Sequence, residues 1–115
     1  MLNLGARVYE KIGDDSNAYE TAQLGLTEQK KKAVICDCRC VLGRIAARKG
    51  DIDEATRQYR KACDEAHDAR VYVMEIIAAK EWKRCYPDNL DCDTFIEKAC
   101  RAMGKNRAEF DNFFP

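Results

Sequence analysis

Three cysteines spaced two apart, Cys36, Cys38 and Cys40, and a single histidine, His67, are the residues of this chain best suited to hold a metal ion or to react. A structural zinc ion needs four thiolate or imidazole ligands in a tetrahedron. On a helix, Cys36 and Cys40 lie one turn apart on one face while Cys38 points elsewhere. One helix therefore does not offer all three to one ion. Cys63, His67 or Cys85 would have to complete the set, and no CxxC pair is present. The thiols read as small apolar residues in close helix packing, with a cysteine-based metal or redox sensor as the alternative. Cys63 and His67 have the spacing of a Cys–His pair, but no orienting third group or oxyanion feature accompanies them. The six glycines are scattered and form no phosphate-binding loop. Asp14–Asp15 and Asp51–Asp53 stand where helix caps belong. No enzymatic activity, cofactor or metal is expected.

The elements that position these residues are helices. The stretch from Cys36 to Ala66 is two amphipathic helices joined by a tight turn. Cys40, Leu42–Gly43 and Ala46–Ala47 give small and apolar residues at helical spacing, and Gly50 stops the helix. Asp51 or Asp53 caps the next helix, whose Ala55, Tyr59, Ala62 and Ala66 form one stripe. Small residues on facing stripes allow close approach, so the pair is an antiparallel hairpin. Upstream, residues 2–12 form a helix with Leu4, Val8–Tyr9 and Ile12 apolar, ended by Gly13. Asp14, Asp15 and Ser16 offer caps for a helix carrying Ala18, Ala22 and Gly25. Thr27 is expected to cap a lengthened helix leading into Cys36. The three lysines at 30–32 oppose the dipole at that helix start, and nothing in the sequence explains them.

Downstream, a helix is expected from about Ala69 to Cys85, with Val73, Met74, Ile76, Ile77, Ala78 and Trp82 apolar and Trp82 in the core. Tyr86–Pro87 ends it, a loop covers residues 87–93, and a helix from Thr94 to Met103 carries Phe95, Ile96, Ala99 and Cys100 on one side. Gly104 closes that helix. Asn106 and Glu109 look like a capping pair for a last short helix, whose Phe110, Phe113 and Phe114 fold back on the hairpin before it. His67 is expected at a helix C-terminus or on the surface.

With 115 residues the chain is one domain with a core of its own. Twenty basic and twenty acidic residues cancel, so no global field draws nucleic acid or an acidic membrane. No apolar run approaches the roughly 20 residues that span a bilayer, and the start MLNLGARVYEK lacks the order of a secretory signal. A cytoplasmic protein is expected. Seven cysteines cannot all pair within one chain, so reduced thiols are the better reading.

Leu42–Gly43, Gly50–Asp51, Ala55, Tyr59 and Ala62 resemble the signature of the tetratricopeptide repeat (TPR). Arg39 and Ala46 replace two aromatics of that pattern, and its closing proline is absent. Gly13 and Ala18 repeat the interval of Gly50 and Ala55, giving a degenerate earlier repeat. The resemblance implies an all-α, right-handed superhelix of antiparallel hairpins. Its parts would be a degenerate repeat at 1–26, the best-matching one at 28–68, and a modified third repeat with capping helices at 69–115. Such arrays need caps over their terminal apolar faces, so the outer face of the first helix should be polar or adhesive. The family also implies a scaffold that binds a peptide or partner subunit in its concave groove. Arg44 and Arg48, with Arg7, Lys11 and Asn3 in the first repeat, would then line a basic strip that grips a carboxylate. The other reading of those residues is a solvated face salt-bridged to nearby Asp and Glu. A protein or peptide partner with acidic character is expected, and homodimerisation through end faces is a further class.

Overall fold

The computed structural model describes residues 4–28 and 30–105; Asn3 and residues 106–115, with the expected aromatic cap, lie outside the described residues. Those residues form an all-α fold of six helices with no strand: α1 Leu4–Lys11, α2 Asp15–Glu28, α3 Lys32–Arg48, α4 Ile52–Asp68, α5 Tyr72–Cys85 and α6 Asp91–Ala102. Each helix packs on the next, and α3 also meets α1 and α5. The odd-numbered helices thus stand side by side, with the even-numbered ones behind them.

The turns follow the expected chemistry where a side chain or glycine specifies them. Gly13 and Gly50 adopt φ of 81° and 78°, left-handed values that cost glycine nothing. Asp14 accepts a hydrogen bond from the Asn17 N–H at 3.2 Å, and Asp51 accepts one from the Glu54 N–H at 3.1 Å. Gly104, at φ 72°, ends α6 while the Lys105 N–H reaches back to the Cys100 carbonyl.

Elsewhere the expected boundaries move. Thr27 stays inside α2, where its hydroxyl donates to the Leu24 carbonyl, and α2 runs to Glu28, past the boundary expected at residue 26. α3 starts at Lys32 behind Lys31, with no side-chain cap. α4 continues to Asp68, and Arg70 then takes a left-handed φ of 61°, so α5 begins at Tyr72 rather than Ala69. α6 begins at Asp91, three residues earlier than expected. The Asn89 side chain accepts from the Asp91 N–H, and Asp91 and Asp93 suit the positive end of the helix.

Two apolar clusters share α3 between them. Ala6, Ala18, Ala22, Val34, Cys38, Val41, Leu42 and Ile45 join α1 and α2 to one side of it. On the other side Cys36, Cys40, Tyr59, Cys63, Trp82, Phe95 and Ile96 join it to α4, α5 and α6. Trp82 is fully buried, as expected, and its ring lies parallel to Tyr59 with centroids 6.5 Å apart. Ile77 is not core: it is 46% exposed, because burial on α5 falls on Glu75, Ile76, Ala78, Ala79 and Trp82.

Glycine spacing sets how closely the helices approach. A methyl group at Gly43 would stand 2.8 Å from the Tyr59 ring, inside any normal carbon–carbon contact. Ala55, Ala62 and Ala66 continue the close approach along α4 and are fully buried. On the other side of α3, a methyl at Gly25 would meet the Cys38 sulfur at 2.5 Å. Gly43→Ala is expected to destabilise the protein by about 1–3 kcal/mol, because the ring has no room to retreat. A urea midpoint equal to that of the wild type would refute this contact.

Candidate functional site

The side of α1, α3 and α5 turned away from the even-numbered helices is the surface on which the expected binding residues lie. Helical spacing places Arg7 and Lys11 of α1, Asp37, Arg44 and Arg48 of α3, and Val73, Ile77 and Arg84 of α5 along it. Arg7, Arg44 and Arg48 are brought together, but each already has an acidic partner. Arg44 donates two parallel bonds to the Glu10 carboxylate, both 2.8 Å, and a third from Nη1 to Glu81 of α5. Arg48 bonds Asp15 and the Glu10 Oε2, and Arg7 bonds Asp37 at 2.7 Å. The structure therefore realises the salt-bridged reading for these arginines, with Arg44 as a strut through the centre of the face. The forks that would grip a ligand carboxylate are occupied by the protein's own carboxylates, Glu10, Glu81 and Asp15 from α1, α5 and α2. These partners come from other helices, so spacing along α3 alone did not reveal them.

Lys11 and Arg84 are exposed on the same side and show no ion pair among the described residues. Beside them, Val73 and Ile77 form an exposed apolar pair one turn apart, 39% and 46% accessible. The sequence marks both only as apolar residues of this helix, since hydropathy does not say which side of α5 is covered.

Electrostatics hold the strut in its charged form. Burial works against ionisation of Glu10, but the bonds to Arg44 and Arg48 outweigh it and keep the carboxyl below its usual range. Burial likewise opposes the Arg44 charge, and Glu10 and Glu81 more than compensate. For Asp37 the balance goes the other way: burial raises its carboxyl above the ordinary value although Arg7 pulls it down. The network reaches the core through the Tyr59 hydroxyl, which donates to Glu81 at 2.9 Å.

The three cysteines of α3 do not converge on one point. Cys38 faces Gly25 of α2, whereas Cys36 and Cys40 lie in the other cluster with Cys63, Cys92 and Cys100. Among the described residues no group of three His, Cys, Asp or Glu side chains is placed to hold a metal ion. Burial pushes the Cys38 and Cys92 thiols up to about 11, and that of Cys63 further still, so all three are neutral thiols rather than nucleophiles. Nor does His67 pair with Cys63. Its Nδ1 lies 2.8 Å from Oε1 of Glu75, a fully buried carboxyl on α5, and the Cys63 thiol bonds the Glu75 carbonyl. The second Glu75 oxygen is buried without a hydrogen-bond partner among the described residues. Sequence reasoning missed this pair, because a glutamate inside an apolar helix carries no mark of its orientation.

No family model, no curated protein and no solved structure matches this chain. Among the described residues no helix is long and apolar enough to cross a membrane.

Replacing Arg44 by methionine leaves Glu10 and Glu81 facing each other without the guanidinium, at an expected cost of about 3 kcal/mol. A variant as stable as wild type in urea titration would show that the strut carries no stability. The Glu75 carboxyl, raised above 4.5 by burial, gives a second test. A raised acid binds its proton more tightly when folded, so its stabilising contribution is complete below pH 4.5 and is lost as pH rises through the raised value. Glu75→Gln should therefore gain stability relative to wild type as pH increases from 4.5 toward neutrality. Parallel stability curves for the two proteins would contradict this.

Proposed function

We propose that the chain is a non-catalytic interaction scaffold that binds a peptide or partner subunit across the joint face of α1, α3 and α5. The observation that carries this reading is the pairing of exposed Val73 and Ile77 with unneutralised Lys11 and Arg84 on one continuous face. A segment with aliphatic and acidic side chains suits that surface, the apolar contacts supplying area and the cations supplying orientation. The side-by-side stacking of alternate helices, the Gly43–Tyr59 contact and the turn at Gly50–Asp51 support a TPR-like superhelix with this face as its concave groove. Arg7 and Arg48, 52% and 44% exposed, contribute at the rim by exchanging an internal carboxylate for one of the ligand's. Asn3 remains part of the proposed strip by sequence position alone. Arg44 positions Glu10 and Glu81 and is not counted as a ligand contact. A cytoplasmic location suits a chain with this many free thiols.

The test is selection of peptides from a random display library on the immobilised chain, followed by titration of the enriched sequences. Acidic, aliphatic peptides are expected, with at least a tenfold loss of affinity in Ile77→Asp and amide shifts confined to α1, α3 and α5. Enriched peptides that bind Ile77→Asp as well as wild type, or that shift α2 and α4 instead, would sink the assignment.

A further inference from the structure

The side of the α1–α2 hairpin turned away from α3 is apolar and has no neighbour among the described residues. On α1, Ala6 and Glu10 face α3, and Gly5 lies against Thr21 of α2. Helical spacing then turns Val8 and Ile12 to the outside, where they are 55% and 70% exposed. On α2, Ala18, Ala22 and Gly25 face inward and Thr21 faces α1, so Leu24 emerges on the same outer side, 54% exposed. The two helices border this patch with opposite charge. Lys11, between Arg7 and the outward Val8 by helical spacing, lies at the edge that this patch shares with the α1–α3–α5 face, while Glu20 and Glu28 stand one turn either side of Leu24 on α2. None of the three makes an ion pair among the described residues. The far side of α6, at the other end of the stack, is built differently: Thr94, Glu97, Lys98 and Arg101 are exposed there.

We propose that this outer face of α1 and α2 docks a second copy of the chain through a two-fold axis. Laying α1 of each protomer across α2 of the other buries Val8, Ile12 and Leu24 and sets Lys11 against Glu20 and Glu28 twice. The split of charge between the two helices makes the patch complementary to itself, which an isologous contact requires. A head-to-tail contact would instead press the apolar patch on the polar side of α6 and leave it unmatched. Eight and fourteen residues make helices about 12 and 21 Å long, so the face measures on the order of 20 by 20 Å. Twice that area lies below a standard interface, and a reversible dimer with a Kd of roughly 10–100 µM is expected.

Sedimentation equilibrium of the full chain from about 5 to 500 µM tests this, a range that brackets the expected Kd. The mass should rise from 13.1 kDa toward twice that value and stop there. Ile12→Glu and Leu24→Glu should each raise the Kd at least tenfold. Lys11→Glu should weaken the dimer, and Lys11→Glu/Glu20→Lys should restore it, with circular dichroism reporting unchanged helix content throughout. Thr94→Glu and Ile77→Asp should leave it intact, which separates this contact from the peptide face. A constant 13.1 kDa overturns the proposal. So does growth beyond a dimer, dimerisation of Leu24→Glu equal to wild type, failure of the charge swap to recover association, or loss of the dimer in Thr94→Glu.

Discussion

The contact of the Tyr59 ring with the bare backbone of Gly43 is the constraint on which the rest of the structure depends. It sets the distance between α3 and α4 at the centre of the stack and fixes where the phenol points. From that position the hydroxyl meets Glu81 on α5, Glu81 meets Arg44 on α3, and Arg44 clamps Glu10 on α1. One line of close packing and charge-assisted bonds therefore passes through three hairpins. Phenylalanine at position 59 would keep the packing and break the line, whereas a larger residue at 43 would break both.

The position of the strut also explains why a row of arginines need not be an anion site. Three guanidinium groups on neighbouring helices invite a carboxylate, and the fold brings carboxylates from α1, α2, α3 and α5 to the same place. Burial makes the pairs of Arg44 with Glu10 and Glu81 matter more than surface pairs do, because either charge left alone in a half-buried site is costly. What remains open on that face is the surrounding ground: the aliphatic pair on α5 and cations without an ion pair among the described residues. The same logic separates Cys38 from the thiols of the other cluster. α3 sends Cys38 to one side and Cys36 and Cys40 to the other; burial keeps the titrating proton on Cys38 and Cys63, and on Cys40 the bond with Cys36 does so together with burial. The six buried cysteines fill space between closely spaced helices, while Cys85 is exposed.

Among the described residues, the hairpins α1–α2 and α5–α6 differ in the same physical terms. α6 turns polar side chains outward, while α1 and α2 leave three aliphatic ones uncovered.

Much of the helical plan follows from local chemistry that the chain carries in its own order. Left-handed turns need Gly13, Gly50 and Gly104, and aspartate side chains cap the helices beginning near 15 and 52. The spacing of Ala55, Tyr59 and Ala62 marks the buried stripe of α4, and Trp82 declares itself core by size and neighbours. Boundaries failed where the signal was not local: Arg70 adopts a glycine-like backbone without being glycine, and α6 starts where Asn89 happens to reach an amide. The site was the least readable part, because ion pairs such as Arg44–Glu10 and His67–Glu75 join residues from different helices. Periodicity places a side chain on a face of its own helix; only the packing of helices decides what that face meets. Hence Ile77 and Ile76, adjacent and chemically alike, end in solvent and in the core.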